Sequence, residues 1–175
     1  MKGGLSQTKA MVIFMIDFEK KVKITVESEK YDNSEALIAK LPVENGEDNE
    51  TQHETIKFTT EGTITSRNGR ISLDYDDSDL FDGEQTGVSI VFEELSKDLV
   101  SMMRGGSVST AMVFESGKRH ICLYTTPFMT FEVCIHTAQV KNRLLTDGTL
   151  ELDYSIEVHG VSAERTRMKI NIAEI

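Results

Sequence analysis

Apolar residues recur at every second position over most of this chain, and a period of two predicts strands rather than helices. From Lys21 to Ser28, Val22, Ile24 and Val26 share one face while lysine, threonine and glutamate hold the other. The alternation returns with Ile56, Phe58, Thr60 and Ile64, and then with Val88, Ile90 and Phe92. It returns again with Leu150, Leu152, Tyr154, Ile156 and Val158, and last with Met168, Ile170 and Ile172. Between these runs lie reversals with recognisable turn chemistry. Asn68-Gly69 is the preferred pair for a two-residue type I′ loop, which sets Ile64 opposite Leu73. Ser116-Gly117 reads as a second two-residue loop, which sets Met112 opposite Ile121 and Thr110 opposite Leu123. A three-residue reversal over Pro127-Phe128-Met129 then keeps Ile121 and Leu123 on the inward face of Phe131, Val133 and Ile135.

The run from Thr130 to Leu145 is too long for one straight strand, since strands usually hold about five to ten residues. Its inward parity changes from Phe131, Val133 and Ile135 to Val140, Asn142 and Leu144, which places a bulge or bend between His136 and Ala138. The count is eight to ten strands in mostly sequential antiparallel order, with none of the helix–strand alternation of a parallel sheet. The fold class is therefore all-β, an antiparallel barrel, with closure favoured because many short strands would otherwise expose edges. One interruption stands out. Asp32-Asn33-Ser34 ahead of EALIAKL predicts an N-capped short helix that Pro42 stops, followed by an acidic tract from Glu44 to Glu54. Residues 31–54 thus form an insertion in a single barrel domain spanning 18–175, preceded by an apolar extension over 1–17. The run AMVIFMI in that extension is too short to cross a bilayer and packs best on the barrel.

At 175 residues the chain is long enough to bury a core. A formal net charge of −10 argues against nucleic-acid binding and against adhesion to anionic membranes, both of which need clustered Lys and Arg. Two cysteines without a secretory signal fit a cytoplasmic protein with free thiols.

Four stretches carry a family resemblance: Met103-Arg104-Gly105-Gly106-Ser107-Val108, Phe114 with the turn at Ser116-Gly117, Tyr124-Thr125-Thr126-Pro127-Phe128, and Thr60-Glu61-Gly62. In this order the chain resembles the YwiB-like family of bacterial proteins over roughly Phe18 to Ile172. The resemblance implies a calycin-type, lipocalin-like barrel and no established activity. Relatives in the wider calycin class often hold small apolar molecules, so the resemblance also implies a lumen to test for a ligand. The chain departs from the pattern at Met129, where a glycine is expected, and in the longer insertion from Tyr31 to His53.

Candidate chemistry is sparse. No nucleophile elbow, phosphate-cradling glycine loop or cofactor motif occurs, and the residues do not name a reaction. In the register above, His120 faces His136 and Cys122 faces Cys134 on one sheet face, the donor set of a tetrahedral zinc site. Against zinc, that face lies outside the barrel, and half-exposed strand residues are the simpler reading. Asp74, Asp76, Asp77, Asp79 and Asp82 miss the calcium-loop spacing and read as a solvated turn. Arg104 points into the lumen with Val100 and Met102 if the Gly105-Gly106 loop has three residues, where it needs a carboxylate partner, and into water if it has two. Tyr75 and Tyr154 point inward, and Met112 lies among methionines able to line an adaptable pocket. The expected function is non-enzymatic binding of a small apolar or amphipathic molecule at Arg104, Tyr75, Tyr154 and Met112. The alternative is a packed-lumen interaction or homodimer module using the outer face of strands 119–136, with His120, Cys122, Tyr124 and Cys134 as its surface. Lumen volume separates them, with about 300 Å³ or more supporting binding.

Overall fold

The alternating runs form ten strands: β1 (Phe18–Asp32), β2 (His53–Arg67), β3 (Arg70–Asp76), β4 (Gly87–Glu93), β5 (Ser96–Arg104), β6 (Ser109–Glu115), β7 (Arg119–Thr125), β8 (Thr130–Arg143), β9 (Thr149–Val158) and β10 (Val161–Glu174). In this computed structural model, residues 16–32, 53–77, 86–158 and 161–175 are described. Every strand pairs antiparallel with its neighbours in sequence, and β1 pairs with β10 as well as β2, so the barrel closes. Closure leaves no sheet edge to template association. Among the described residues there is no helix. The helix expected over EALIAKL and the extension upstream of Ile16 lie outside them.

The β2–β3 reversal follows the sequence. Asn68 and Gly69 both have positive φ, 50° and 78°, and Ile64 pairs with Leu73. The bend in β8 is also where parity put it, as a register shift between Thr137 and Gln139.

The β6–β7 reversal corrects the expectation. β6 ends at Glu115 and β7 begins at Arg119, so the loop holds three residues, 116–118, with the Lys118 N–H donating to the Glu115 carbonyl at 3.0 Å and Gly117 left-handed at φ 75°. Ser109 then pairs with Thr125 and Thr110 with Tyr124, one residue away from the two-residue register. At the other end of β7, Thr125 pairs with Thr130, so the loop holds four residues, 126–129. Its geometry comes from Thr126, whose hydroxyl accepts from the N–H groups of Phe128 and Met129 at 3.3 and 3.1 Å. Both shifts turn β7 over. Ile121 and Leu123 are 72% and 56% exposed, while Cys122 is buried. A one-residue slip moves a strand's whole side-chain set through the wall, and that is the outcome here.

The core fills one end of the barrel. Val22, Ile24, Ile64, Ile71, Leu73, Ile90, Phe92, Val100, Phe114, Leu150 and Ile170 are all essentially buried, each contributing roughly 1.5–3 kcal/mol by leaving water. Gly62 makes this packing feasible. A Cβ there would lie 2.5 Å from both the Asp74 carbonyl oxygen and Ile24 Cδ1, which accounts for the glycine in Thr60-Glu61-Gly62. No helix of the described residues is long and apolar enough to cross a membrane.

Candidate functional site

At the opposite end the inward positions become smaller and more polar, and the lumen opens. This end collects the C-terminal halves of β1, β3, β5, β7 and β9 and the N-terminal halves of their partners. The parity that buries Val22, Ile24 and Val26 continues to Ser28 and Lys30, and that of Leu73 and Tyr75 continues to Asp77. The resulting cavity is about 240 Å³. That falls short of the about 300 Å³ at which lumen volume alone would favour binding over a packed interior, so volume does not separate the two readings, and any occupant must be small. Among the described residues, three larger depressions open elsewhere on the surface, about 520 and 610 Å³ in the first two and about 630 Å³ in a shallow third at the ends of β3, β4 and β5 beside Ser89, Met103 and Gly105. The first is a charged groove on the outer wall around Glu151, Asp153, Arg167 and Lys169, and the second caps the packed end beside Ile16 and Phe18.

Arg104 settles into the lumen. The β5–β6 loop holds five residues, 104 pairing with 110, and Arg104 keeps the inward parity of Val100 and Met102. Its guanidinium lies 2.8 Å from Asp77 Oδ2, with the Asp77 side chain 8% exposed. The protein itself thus supplies the carboxylate an inward arginine requires. Asp77 corrects the reading of the acidic connector as solvated throughout: this residue is buried, and its backbone N–H donates to the Thr86 carbonyl at 3.1 Å.

Tyr75 and Tyr154 both line this cavity, as do Met102 and Met112. Burial pushes the Tyr154 phenol up to about 12, the hydrogen bond with Thr166 opposing it. Tyr75 is raised too, first by burial and then by the nearby Asp77 charge. Both stay protonated at neutral pH and offer hydrogen bonds, not bases. Tyr154 packs on Phe114 with ring centroids 4.8 Å apart, which joins the cavity to the packed half. Three further lining atoms, Ser28 Oγ, Asp77 Oδ1 and Thr110 Oγ1, are buried with no hydrogen-bond partner among the described residues. In the sequence Ser28 and Thr110 belong to no site motif, and Asp77 stands only among the carboxylates weighed against a calcium loop. Their inward parity was the available signal, obscured because polar residues there look like strand ends.

The zinc constellation does not assemble. With Ile121 opposite Cys134 and Arg119 opposite His136, His120 and Cys122 face inward while Cys134 and His136 face outward. His120 Nε2 lies 3.3 Å from Glu115, and His136 Nδ1 lies 3.6 Å from Glu157. Both thiols are raised above their ordinary value, chiefly by burial, which opposes the thiolate a metal would need. The interaction surface expected from His120, Cys122, Tyr124 and Cys134 is split across the wall for the same reason.

Comparison with known proteins places the chain. The family described as "Domain of unknown function (DUF1934)" matches residues 42–170. The chain belongs to the DUF1934 family. No curated protein matches it. Among solved structures, the DUF1934 chain is similar to the one titled "Crystal structure of ywiB protein from Bacillus subtilis". Identity is 20%, the TM-score 0.69, and the match covers 90% of this chain and 93% of that one. At that identity the likeness speaks to fold, and it supports the YwiB-like resemblance carried by the glycine and Thr-Pro motifs.

Proposed function

We propose that this DUF1934 barrel binds a small, partly apolar molecule in the open half of its lumen, without chemistry of its own. The observation carrying this reading is the contrast along the barrel axis: one half is filled by Ile, Leu, Val and Phe, while the other surrounds a cavity of about 240 Å³. A wall whose only task was stability would fill that half as well, since a lining without partner atoms forfeits its dispersion contacts. Native mass spectrometry of the protein purified without an affinity tag tests it. The expected result is a non-covalent mass that disappears on denaturation, or binding of added small amphiphiles. A bare chain that takes up none of them overturns the reading.

A second reading, association through the outer wall, is favoured by one feature. Ile121 and Leu123 stand exposed on β7, and Leu99 and Met103, 44% and 42% exposed, stand on β5 with β6 between. Sedimentation of the wild-type chain and of the Ile121→Lys/Leu123→Glu double variant tests it, with a dimer expected only in the former.

A further inference from the structure

Resting on the lumen reading above, we propose that the ligand presents an uncharged hydrogen-bond donor, a hydroxyl or primary amide, to Asp77 Oδ1, and not a carboxylate or an ammonium. Ser28, Asp77 and Thr110 are each more than nine-tenths buried, and each leaves a side-chain oxygen unpartnered among the described residues. A buried polar atom in that state costs about 1–3 kcal/mol, so a cavity holding three is built for an occupant that bonds to them. An ionised carboxylate oxygen only accepts. The complement of Asp77 Oδ1 must therefore donate, which excludes an ether, ketone or ester as the sole head.

Charge then narrows the donor. Asp77 Oδ2 lies 2.8 Å from the Arg104 guanidinium, so the inner polar cluster is already neutral as a pair. At the rim, Lys30 and Glu164 stand on the paired strands β1 and β10 and cancel formally in the same way. A carboxylate head would meet the free oxygen of Asp77, and an ammonium would meet Arg104. Either would sit desolvated beside a like charge. A hydroxyl or primary amide avoids both, donating to Asp77 and accepting from the Thr110 or Ser28 hydroxyl. The rest of the ligand lies against Phe58, Met102, Met112 and Val133, where the methionines adjust to its outline. The cavity of about 240 Å³ equals about eight waters at their liquid volume, which suits a short chain or a single small ring.

Titration of the full chain with 1-octanol and its isomer heptyl methyl ether tests the head group. The two match in size, and only the alcohol donates. Octanoate and octylammonium complete the set. The expected result is that octanol binds about tenfold tighter than the ether, the factor corresponding to one satisfied buried hydrogen bond, and tighter than both ions. Asp77→Asn keeps its carbonyl oxygen on the donor-only Arg104 guanidinium, so its NH2 group presents a donor to the lumen where Oδ1 accepted, and the charge facing Arg104 is gone. It is expected to abolish the preference for octanol over the ether and to strengthen octanoate binding about tenfold. The Asp77→Leu/Arg104→Met double variant replaces the buried pair with apolar groups of similar volume and serves if Asp77→Asn does not fold, with the preference for octanol over the ether lost. If none of the four probes binds, the lumen reading fails and this proposal with it. Equal binding of octanol and ether, a preference for either ion, or unaltered selectivity in the variant that folds overturns the head-group assignment alone.

Discussion

The β2–β3 and β6–β7 hairpins look alike in sequence, each a polar-glycine pair between alternating strands, yet one takes the two-residue register and the other does not. Asn68-Gly69 carries its own instruction. Both residues adopt positive φ, which asparagine and glycine alone accept readily, and that geometry exists only in a two-residue type I′ loop. Ser116-Gly117 carries half of one. A single left-handed glycine suits two- and three-residue loops, and the choice is made on β8. Gly117 N–H donates to the Thr137 carbonyl at 2.8 Å, Thr137 N–H to the Lys118 carbonyl at 3.0 Å, and Val140 N–H to Ser116 Oγ at 2.8 Å. The turn is therefore locked into the β8 bulge, far downstream in the sequence. Beyond it β6 and β7 pair only at Ser109–Thr125 and Thr110–Tyr124, so the ladder itself holds the register weakly.

Paired truncations break this comparison most sharply. Leu73 and Ile121 are the residues that the two-residue loops would bury, but Leu73 is 0% and Ile121 72% exposed. Leu73→Ala should lower unfolding stability by about 2–5 kcal/mol, and Ile121→Ala should change it by no more than about 0.5 kcal/mol. Comparable losses in urea titrations would restore the two-residue register at Ser116-Gly117.

Next in size is an alkaline effect centred on Tyr154, which packs on Phe114 beneath the weakly paired β6. Its folded-state value, raised to about 12, lies above that of an unfolded tyrosine near 10. Its contribution is therefore complete below pH 10 and is lost as pH rises toward 12, on the order of 2 kcal/mol. Thermal melts across that range should show Tyr154→Phe losing less stability than the unaltered chain.

Turn substitutions sharpen the contrast itself. Asn68→Val places a β-branched residue at positive φ and should cost about 1–2 kcal/mol, whereas Ser116→Thr, β-branched but keeping the hydroxyl that accepts from Val140 N–H, should cost less because only Gly117 there is left-handed. Equal losses would show that both loops carry their own instruction.

The smallest expected effect lies on the outer wall, between β9 and β10. The hydrogen-bonded Arg165 guanidinium holds the Asp153 carboxyl below its ordinary value. That stabilisation is present above pH 4 and lost as pH falls through the lowered folded value. Asp153→Asn should flatten the acid limb of the stability profile by less than about 1 kcal/mol.

The chain's own residues determined the barrel. Period-two alternation in most of the strands, with Asn68-Gly69 between two of them and a change of parity within β8, is enough to specify strand order, most inward faces and the bulge, because each feature is local. Tyr75, Tyr154 and Met112 were legible as lumen residues on the same ground. Three things were decided only in the folded molecule. The facing of β7 depends on backbone bonds to β8, and both of its faces are partly apolar, so Ile121 and Leu123 compete with Cys122 and Tyr124 on nearly equal terms. The side of the wall that Arg104 faces depends on loop length, which Gly105-Gly106 permits without fixing. The burial of Asp77 depends on Arg104, which reaches it from two strands away, because a carboxylate enters a lumen only where a distant cation is waiting to pair with it.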